Sequence, residues 1–125
     1  MTTDLPHGDR IAFSTAVLKI LDDWGLPAQA QLDLLGLGQG TEHRATRRWG
    51  VPLPDNPEVY QRVALLLSLD RALRQLFPHS EVSANLWVTT PRPKFGNATP
   101  LDTMLRGGLE GIRSVLAALD NLDLR

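Results

Sequence analysis

Three histidines, His7, His43 and His79, are the side chains of this sequence best suited to metal ligation or proton transfer, and their spacing gives them no shared task. No two stand four apart, the separation that puts a pair of imidazoles on one helix face, and no His-Glu-x-x-His run occurs. Glu42 and His43 are neighbours, but adjacent residues of a helix point apart. The chain has no cysteine, which excludes disulfides, thiolate nucleophiles and cysteine-ligated zinc or iron–sulfur centres. No Gly-x-Ser-x-Gly elbow presents a nucleophile. Gly36, Gly38 and Gly40 outline a glycine-rich turn, but a dinucleotide fingerprint needs another spacing after a strand, and a phosphate loop must end in Gly-Lys-Ser/Thr. They read as a flexible turn. The Asp22-Asp23 pair stands near a helix end, where exposed acids are common. An enzyme is therefore not expected, and neither is a metal or cofactor.

Two stretches carry positive charge in a usable pattern. Arg44, Arg47 and Arg48 are spaced i, i+3 and i+4, so three guanidinium groups leave one face of a helix. Preceded by a short helix and the Gly36 turn, they have the order of a helix–turn–helix, whose second helix lies in the major groove of DNA. Arginines there reach phosphates, or guanine edges bidentately. The same pattern equally describes a basic, solvated face of a helical hairpin with Ala28, Leu32, Leu35 and Trp49 as its core. The second stretch, residues 89–97 (Thr-Thr-Pro-Arg-Pro-Lys-Phe-Gly-Asn), sets Arg92 and Lys94 among two prolines and a glycine. That composition predicts an ordered loop.

The elements that must position these residues are helical nearly throughout. Phe13, Val17, Ile20, Leu21 and Trp24 recur at spacings of three and four behind Asp9, a candidate N-cap, and Gly25 ends the run. Pro27 opens a second helix to about Leu35, stopped by Gly36; Leu37-Gly38-Gln39-Gly40 is too flexible for a helix interior. Thr41 caps a short third helix reaching Trp49, and Val51-Pro52-Leu53-Pro54 is an extended connector. Asn56 with Pro57 opens the longest helix, to about Phe77. Its stripe of Val59, Val63, Leu66, Leu69, Leu73 and Leu76 is widened by Leu65, Leu67 and Ala72, a surface broad enough to predict a homodimer. Asp70 and Arg74 are an i, i+4 pair. A short helical or irregular stretch runs through Asn85, Leu86 and Trp87, and residues 86–90 are the least unfavourable strand candidate. Thr99-Pro100-Leu101-Asp102 reads as a capping-box variant; that helix stops at Gly107-Gly108, and Leu109, Ile112, Leu116 and Leu119 mark a last one. The expected fold is all-α, with an N-terminal part over 1–54 and a C-terminal part over 55–125 in one continuous unit.

The chain has 125 residues, with 13 Lys plus Arg against 14 Asp plus Glu, enough length for one domain that buries its own core. Residues 1–38 carry net −3, 39–106 net +3 and 107–125 net −1, so a modestly basic centre lies between acidic ends. That arrangement meets an acidic partner or simply forms a solvated face. The longest nearly unbroken apolar run, 63–69, is seven residues and includes Ser68, far short of the ~20 needed to span a bilayer. The N-terminus lacks the basic start and apolar stretch of a signal peptide, so a cytoplasmic location is expected and the Asn97-Ala98-Thr99 sequon is expected to go unused.

Within the C-terminal forty residues several fixed points occur in order. They are Asn85-Leu86-Trp87, Thr90-Pro91-Arg92-Pro93, Phe95-Gly96-Asn97, Pro100-Leu101-Asp102-Thr103-Met104-Leu105 before Gly107, and Val115 to Leu119. This order resembles the toxin-binding domain of the Xre/MbcA/ParS antitoxin family, over roughly 84–121. The preceding long helix and helix–turn–helix-like region resemble the family's N-terminal part, with the turn lengthened by Leu37-Gly38-Gln39-Gly40-Thr41. The resemblance implies an antitoxin that binds a RES-type toxin, one that consumes NAD or transfers ADP-ribose, and that dimerises and represses its own operon. On that resemblance the toxin-binding residues are Arg92, Lys94, Phe95, Asn97, Arg106, Arg113, Leu124 and Arg125, and the DNA-binding residues Thr41, Arg44, Arg47 and Arg48. The residues by themselves leave open a DNA-binding regulator without a toxin partner, and a purely structural helical subunit.

If residues 41–49 contact a duplex, replacing Arg44, Arg47 and Arg48 by Ala removes phosphate contacts and releases fewer counterions. The salt slope of operator binding, measured by fluorescence anisotropy between 50 and 200 mM salt, is expected to fall by about one unit per lost contact. An unchanged slope returns the three arginines to a solvated face.

Overall fold

The computed structural model describes residues 7–37, 54 and 56–123. Thr41, Arg44, Arg47, Arg48 and Trp49, with the helix expected around them, lie outside the described residues, as do Leu124 and Arg125. The described residues are all-α: α1 (His7–Asp23), α2 (Ala28–Leu34), α3 (Pro57–Leu76), α4 (Glu81–Trp87) and α5 (Pro100–Asp123), with a 3₁₀ turn at Pro93–Phe95. None of these helices is long and apolar enough to cross a membrane. The chain divides into two compact units, Met1–Ala64 and Leu65–Arg125, with the division inside α3.

In the first unit, α1 and α2 end in the same way. Gly25 and Gly36 take left-handed backbone (φ +75° and +80°), which lets the chain reverse without a Cβ clash. The amides of Gly25 and Leu26 then donate to the carbonyls of Asp22 and Leu21 (2.9 and 3.3 Å), and those of Gly36 and Leu37 to Asp33 and Leu32 (3.1 and 2.8 Å). Each Schellman turn drives the following leucine inward, so Leu26 and Leu37 are buried. Leu37 is thus core rather than part of a flexible glycine turn, a correction that follows from this C-terminal geometry. Gln31 is fully buried between the two helices and donates from Nε2 to Asp22 Oδ1 (2.7 Å) and to the Leu26 carbonyl (3.0 Å). A second link joins α2 to α3: Arg62 donates to the Leu34 carbonyl (3.3 Å) while paired with Glu58 (2.9 Å). A guanidinium at a helix C-terminus meets its negative dipole end.

Three expectations for this unit need adjustment. Asp9 is not the N-cap of α1, because the helix begins at His7 and leaves Asp9 in the first turn, still favourably placed for a carboxylate. Pro27 takes extended backbone ahead of α2 and is its N-cap rather than its first helical residue. Ala28 and Phe13 are exposed, whereas Leu34 is buried beside Leu32 and Leu35. The start of α3 is as expected: the Glu58 amide donates to Asn56 Oδ1 at 2.9 Å, with Pro57 first in the helix.

The second unit holds the C-terminal part of α3, then α4 and α5. Leu66, Leu69 and Leu73 are buried, while Leu65, Leu67, Ala72 and Leu76 are half-buried. Ser80 caps α4, its Oγ accepting from the Ser83 amide at 3.1 Å. Residues 86–90 form no strand: Leu86 and Trp87 complete α4, and a turn follows. The capping box at α5 is present, with Thr99 Oγ1 accepting from the Asp102 amide (3.0 Å) and Asp102 Oδ2 from the Thr99 amide (3.4 Å). Gly108 (φ 58°, ψ −136°) breaks α5 where the sequence places a stop, and only glycine adopts that backbone readily. After the break the chain passes close to the segment before it. A Cβ on Gly111 would stand 3.2 Å from Met104 Cα and closer still to the Thr103 carbonyl. The buried stripe of this last segment is Ile112, Val115, Ala118 and Leu119, with Leu109 and Leu116 half-buried at its flanks.

Adding one methyl at Gly111 therefore forces backbone apart. Gly111→Ala is expected to lower unfolding free energy by about 1–3 kcal/mol. Gly107→Ala, at a position with open space around it, is expected to leave stability unchanged or raise it by up to ~1 kcal/mol. Urea unfolding of the two variants checks the difference.

Candidate toxin-binding site

Residues 88–99 are an ordered loop held at both ends. The Arg92 amide donates to the Ala98 carbonyl (3.0 Å) and the Asn97 amide to the Arg92 carbonyl (2.9 Å), closing a ring around the 3₁₀ turn. Within it the Phe95 and Gly96 amides donate to Arg92 and Pro93 (both 3.0 Å). Gly96 and then Asn97 take left-handed backbone (φ 67° and 66°), and asparagine tolerates that conformation better than most side chains. On the entry side, Thr90 Oγ1 donates at 2.7 Å to the Leu86 carbonyl, which also accepts from the Thr89 amide at 3.2 Å. On the exit side the Leu101 amide donates to the Val88 carbonyl at 3.0 Å, and the Thr99–Asp102 box starts α5.

Trp87 is the floor of this loop. It is buried and touches two of the expected site residues from above. The Arg92 guanidinium carbon lies 4.8 Å from the indole centroid, a cation–π contact, and Phe95 meets the same ring edge-on at 6.3 Å and 87°. Burial lowers the pKa of Arg92 from its ordinary value, yet a guanidinium keeps its charge throughout. Its Nε is buried without a hydrogen-bond partner among the described residues, so stacking on Trp87 is what compensates its desolvation. Arg92 and half-buried Phe95 therefore brace the loop, and exposed Lys94 and Asn97 form its outer surface.

The remaining expected residues lie on α5. Arg106, exposed, precedes the Gly108 break and borders a shallow cleft with Thr103, Gly107, Glu110, Gly111 and Ser114. Arg113 follows the break and is paired with Glu110. Among the described residues no three His, Asp or Glu side chains stand together where they could hold a metal ion.

Compared with known proteins, residues 72–123 match the family model described as the antitoxin Xre/MbcA/ParS C-terminal toxin-binding domain. The match covers the end of α3, α4, the pinned loop and α5. The chain belongs to the Xre/MbcA/ParS antitoxin family. It is also similar to the uncharacterized protein y4oB of Sinorhizobium fredii, with 35% identity over 105 residues, covering 84% of this chain and 79% of that relative. No solved structure matches it.

One feature of the antitoxin's toxin-binding domain escapes a reading of residue types. Val82 and Leu86 on α4 are 68% and 55% exposed, the most exposed large apolar side chains among the described residues. Their spacing of four in a short helix was a legible signal, hidden because the helix itself was not distinct from irregular chain.

The bracing role of Arg92 separates it from Lys94 experimentally. Arg92→Ala is expected to lower stability by roughly 0.5–2 kcal/mol and to change the near-ultraviolet circular dichroism of Trp87. Lys94→Ala is expected to alter neither. Equal behaviour of the two variants in thermal melts would remove the structural role given to the Trp87–Arg92 stack.

Proposed function

We propose that this antitoxin neutralises a RES-type toxin, an enzyme that consumes NAD or transfers ADP-ribose, by covering its active site. In this reading it acts in the cytoplasm as a homodimer and represses its own operon. The observation that carries the proposal is the family match over 72–123, which falls on a loop tied at both ends. A segment already ordered before docking loses little entropy on binding, so a few contacts give useful affinity. Lys94 and Asn97 make the outer contacts of the loop, and Arg92 and Phe95 hold it from beneath. Because NAD is itself anionic, the cations do not imitate it; they occupy acidic or phosphate-facing ground in the toxin's pocket. On the family resemblance, Arg106, Arg113, Leu124 and Arg125 are further toxin-binding residues in this reading, and operon repression uses Thr41, Arg44, Arg47 and Arg48.

The test is co-expression with the toxin encoded in the adjacent reading frame. The wild-type antitoxin is expected to restore growth and preserve cellular NAD, while Lys94→Glu with Asn97→Ala loses protection at native helicity. Loss of one hot-spot side chain often weakens binding about thirtyfold. Growth arrest that persists with wild-type antitoxin present would overturn the proposal. Light scattering is expected to give twice the 13.8 kDa mass of the chain.

A further inference from the structure

We infer that the exposed face of α4, formed by Val82 and Leu86, is an apolar seat on which the toxin docks beside the pinned loop. The inference rests on the toxin-binding reading above and names a surface that reading did not use. Residues four apart lie one above the other on a helix, so the two side chains make one ridge. The opposite face of α4 is already satisfied, with Ala84 and Trp87 buried. At the base of the ridge, Val82 borders an open cleft whose walls include Phe77, Pro78 and His79. Apolar side chains this exposed gain most from being covered, and a helix fixed at both ends presents them without further ordering. Ser80 fixes one end, and Thr90 bonded to the Leu86 carbonyl fixes the other.

Charge selects the occupant. The segment Glu-Val-Ser-Ala-Asn-Leu-Trp of α4 contains no cation, and Glu81 is its one charged residue. Arg74, the arginine bordering the cleft, is spent on Asp70 (3.0 Å) and Glu81 (3.3 Å) and holds its proton more tightly for the hydrogen bond to Asp70. A nucleic acid therefore finds no phosphate partner here, whereas apolar side chains of a protein do. Continuity points to the toxin. Residues 74–86 lie inside the matched toxin-binding stretch, and the ridge runs directly into the loop through the Thr90–Leu86 hydrogen bond. In this arrangement the ridge supplies apolar area, and Lys94 beyond it supplies charge and register.

The experiment is titration calorimetry of the full-length antitoxin with the purified toxin from the adjacent reading frame. Val82→Gln with Leu86→Gln, both tolerated in an exposed helix, is expected to bind at least thirtyfold more weakly at unchanged melting temperature and mass. If the polar pair lowers helicity, Val82→Ala with Leu86→Ala keeps the helix and is expected to show at least a tenfold loss. Binding of a folded variant within threefold of wild type overturns the ridge as the docking seat while leaving the antitoxin reading intact. Wild-type antitoxin that does not bind the toxin at all overturns both. A variant that changes oligomeric mass but keeps wild-type toxin affinity assigns the ridge to a second copy of the chain, which also overturns the inference.

Discussion

Trp87 has to be covered, and the toxin-binding unit is organised around the way this is done. A large apolar ring at the end of the short α4 gains from removal from water, and this one is almost fully buried. The loop that follows α4 therefore folds back over it, placing a guanidinium on the ring face and a phenyl edge against it. A cation on an indole face and an edge-to-face aromatic pair each stabilise by roughly 1 kcal/mol, comparable to a hydrogen bond. The ring of amide–carbonyl bonds between Arg92 and residues 97 and 98 is the backbone expression of the same constraint. With the loop pinned over Trp87, its unbraced side chains are held outward.

Among the described residues, most of the cations are committed to the protein's own structure. Arg62 serves the C-terminus of α2 and Glu58, Arg74 bridges Asp70 and Glu81, Arg113 meets Glu110, and Arg92 lies on Trp87. Partly exposed ion pairs of this kind contribute at most about 1 kcal/mol each, so their main effect is to fix side chains and neutralise helix ends. A basic tally over the centre of the chain consequently overstates the charge available to a partner. Lys94 and Arg106 present their charge to solvent, and the exposed apolar ridge of α4 adds what charge does not provide.

Helix ends were readable because their chemistry is local. Asn56 with Pro57, the Thr99–Asp102 box and the glycines at 25, 36 and 108 each satisfy or terminate a turn with residues within six positions. The core faces of the longer helices followed from periodicity for the same reason. Where sequence reasoning erred, burial did not follow periodicity. Leu37 is buried through the Schellman turn, Phe13 is exposed although it continues the stripe of α1, and Val115 rather than Leu116 lies in the core of the last segment.

The sequence by itself determined the all-α class, the order and most boundaries of the described helices, and membership of the antitoxin family, because caps, stops and motif order are written in short stretches of residues. It also located the loop 89–97 that the toxin-binding domain displays. Tertiary structure alone decided what each loop residue does. Arg92 and Lys94 are two positions apart and alike in charge, yet one is desolvated against an indole and the other stands in water. Exposure is a property of what packs against a side chain, and that is set by contacts between elements rather than by spacing along the chain. For the same reason Val82 and Leu86, ordinary core-forming residues in any sequence, become a surface feature only once Trp87 has claimed the inner face of α4.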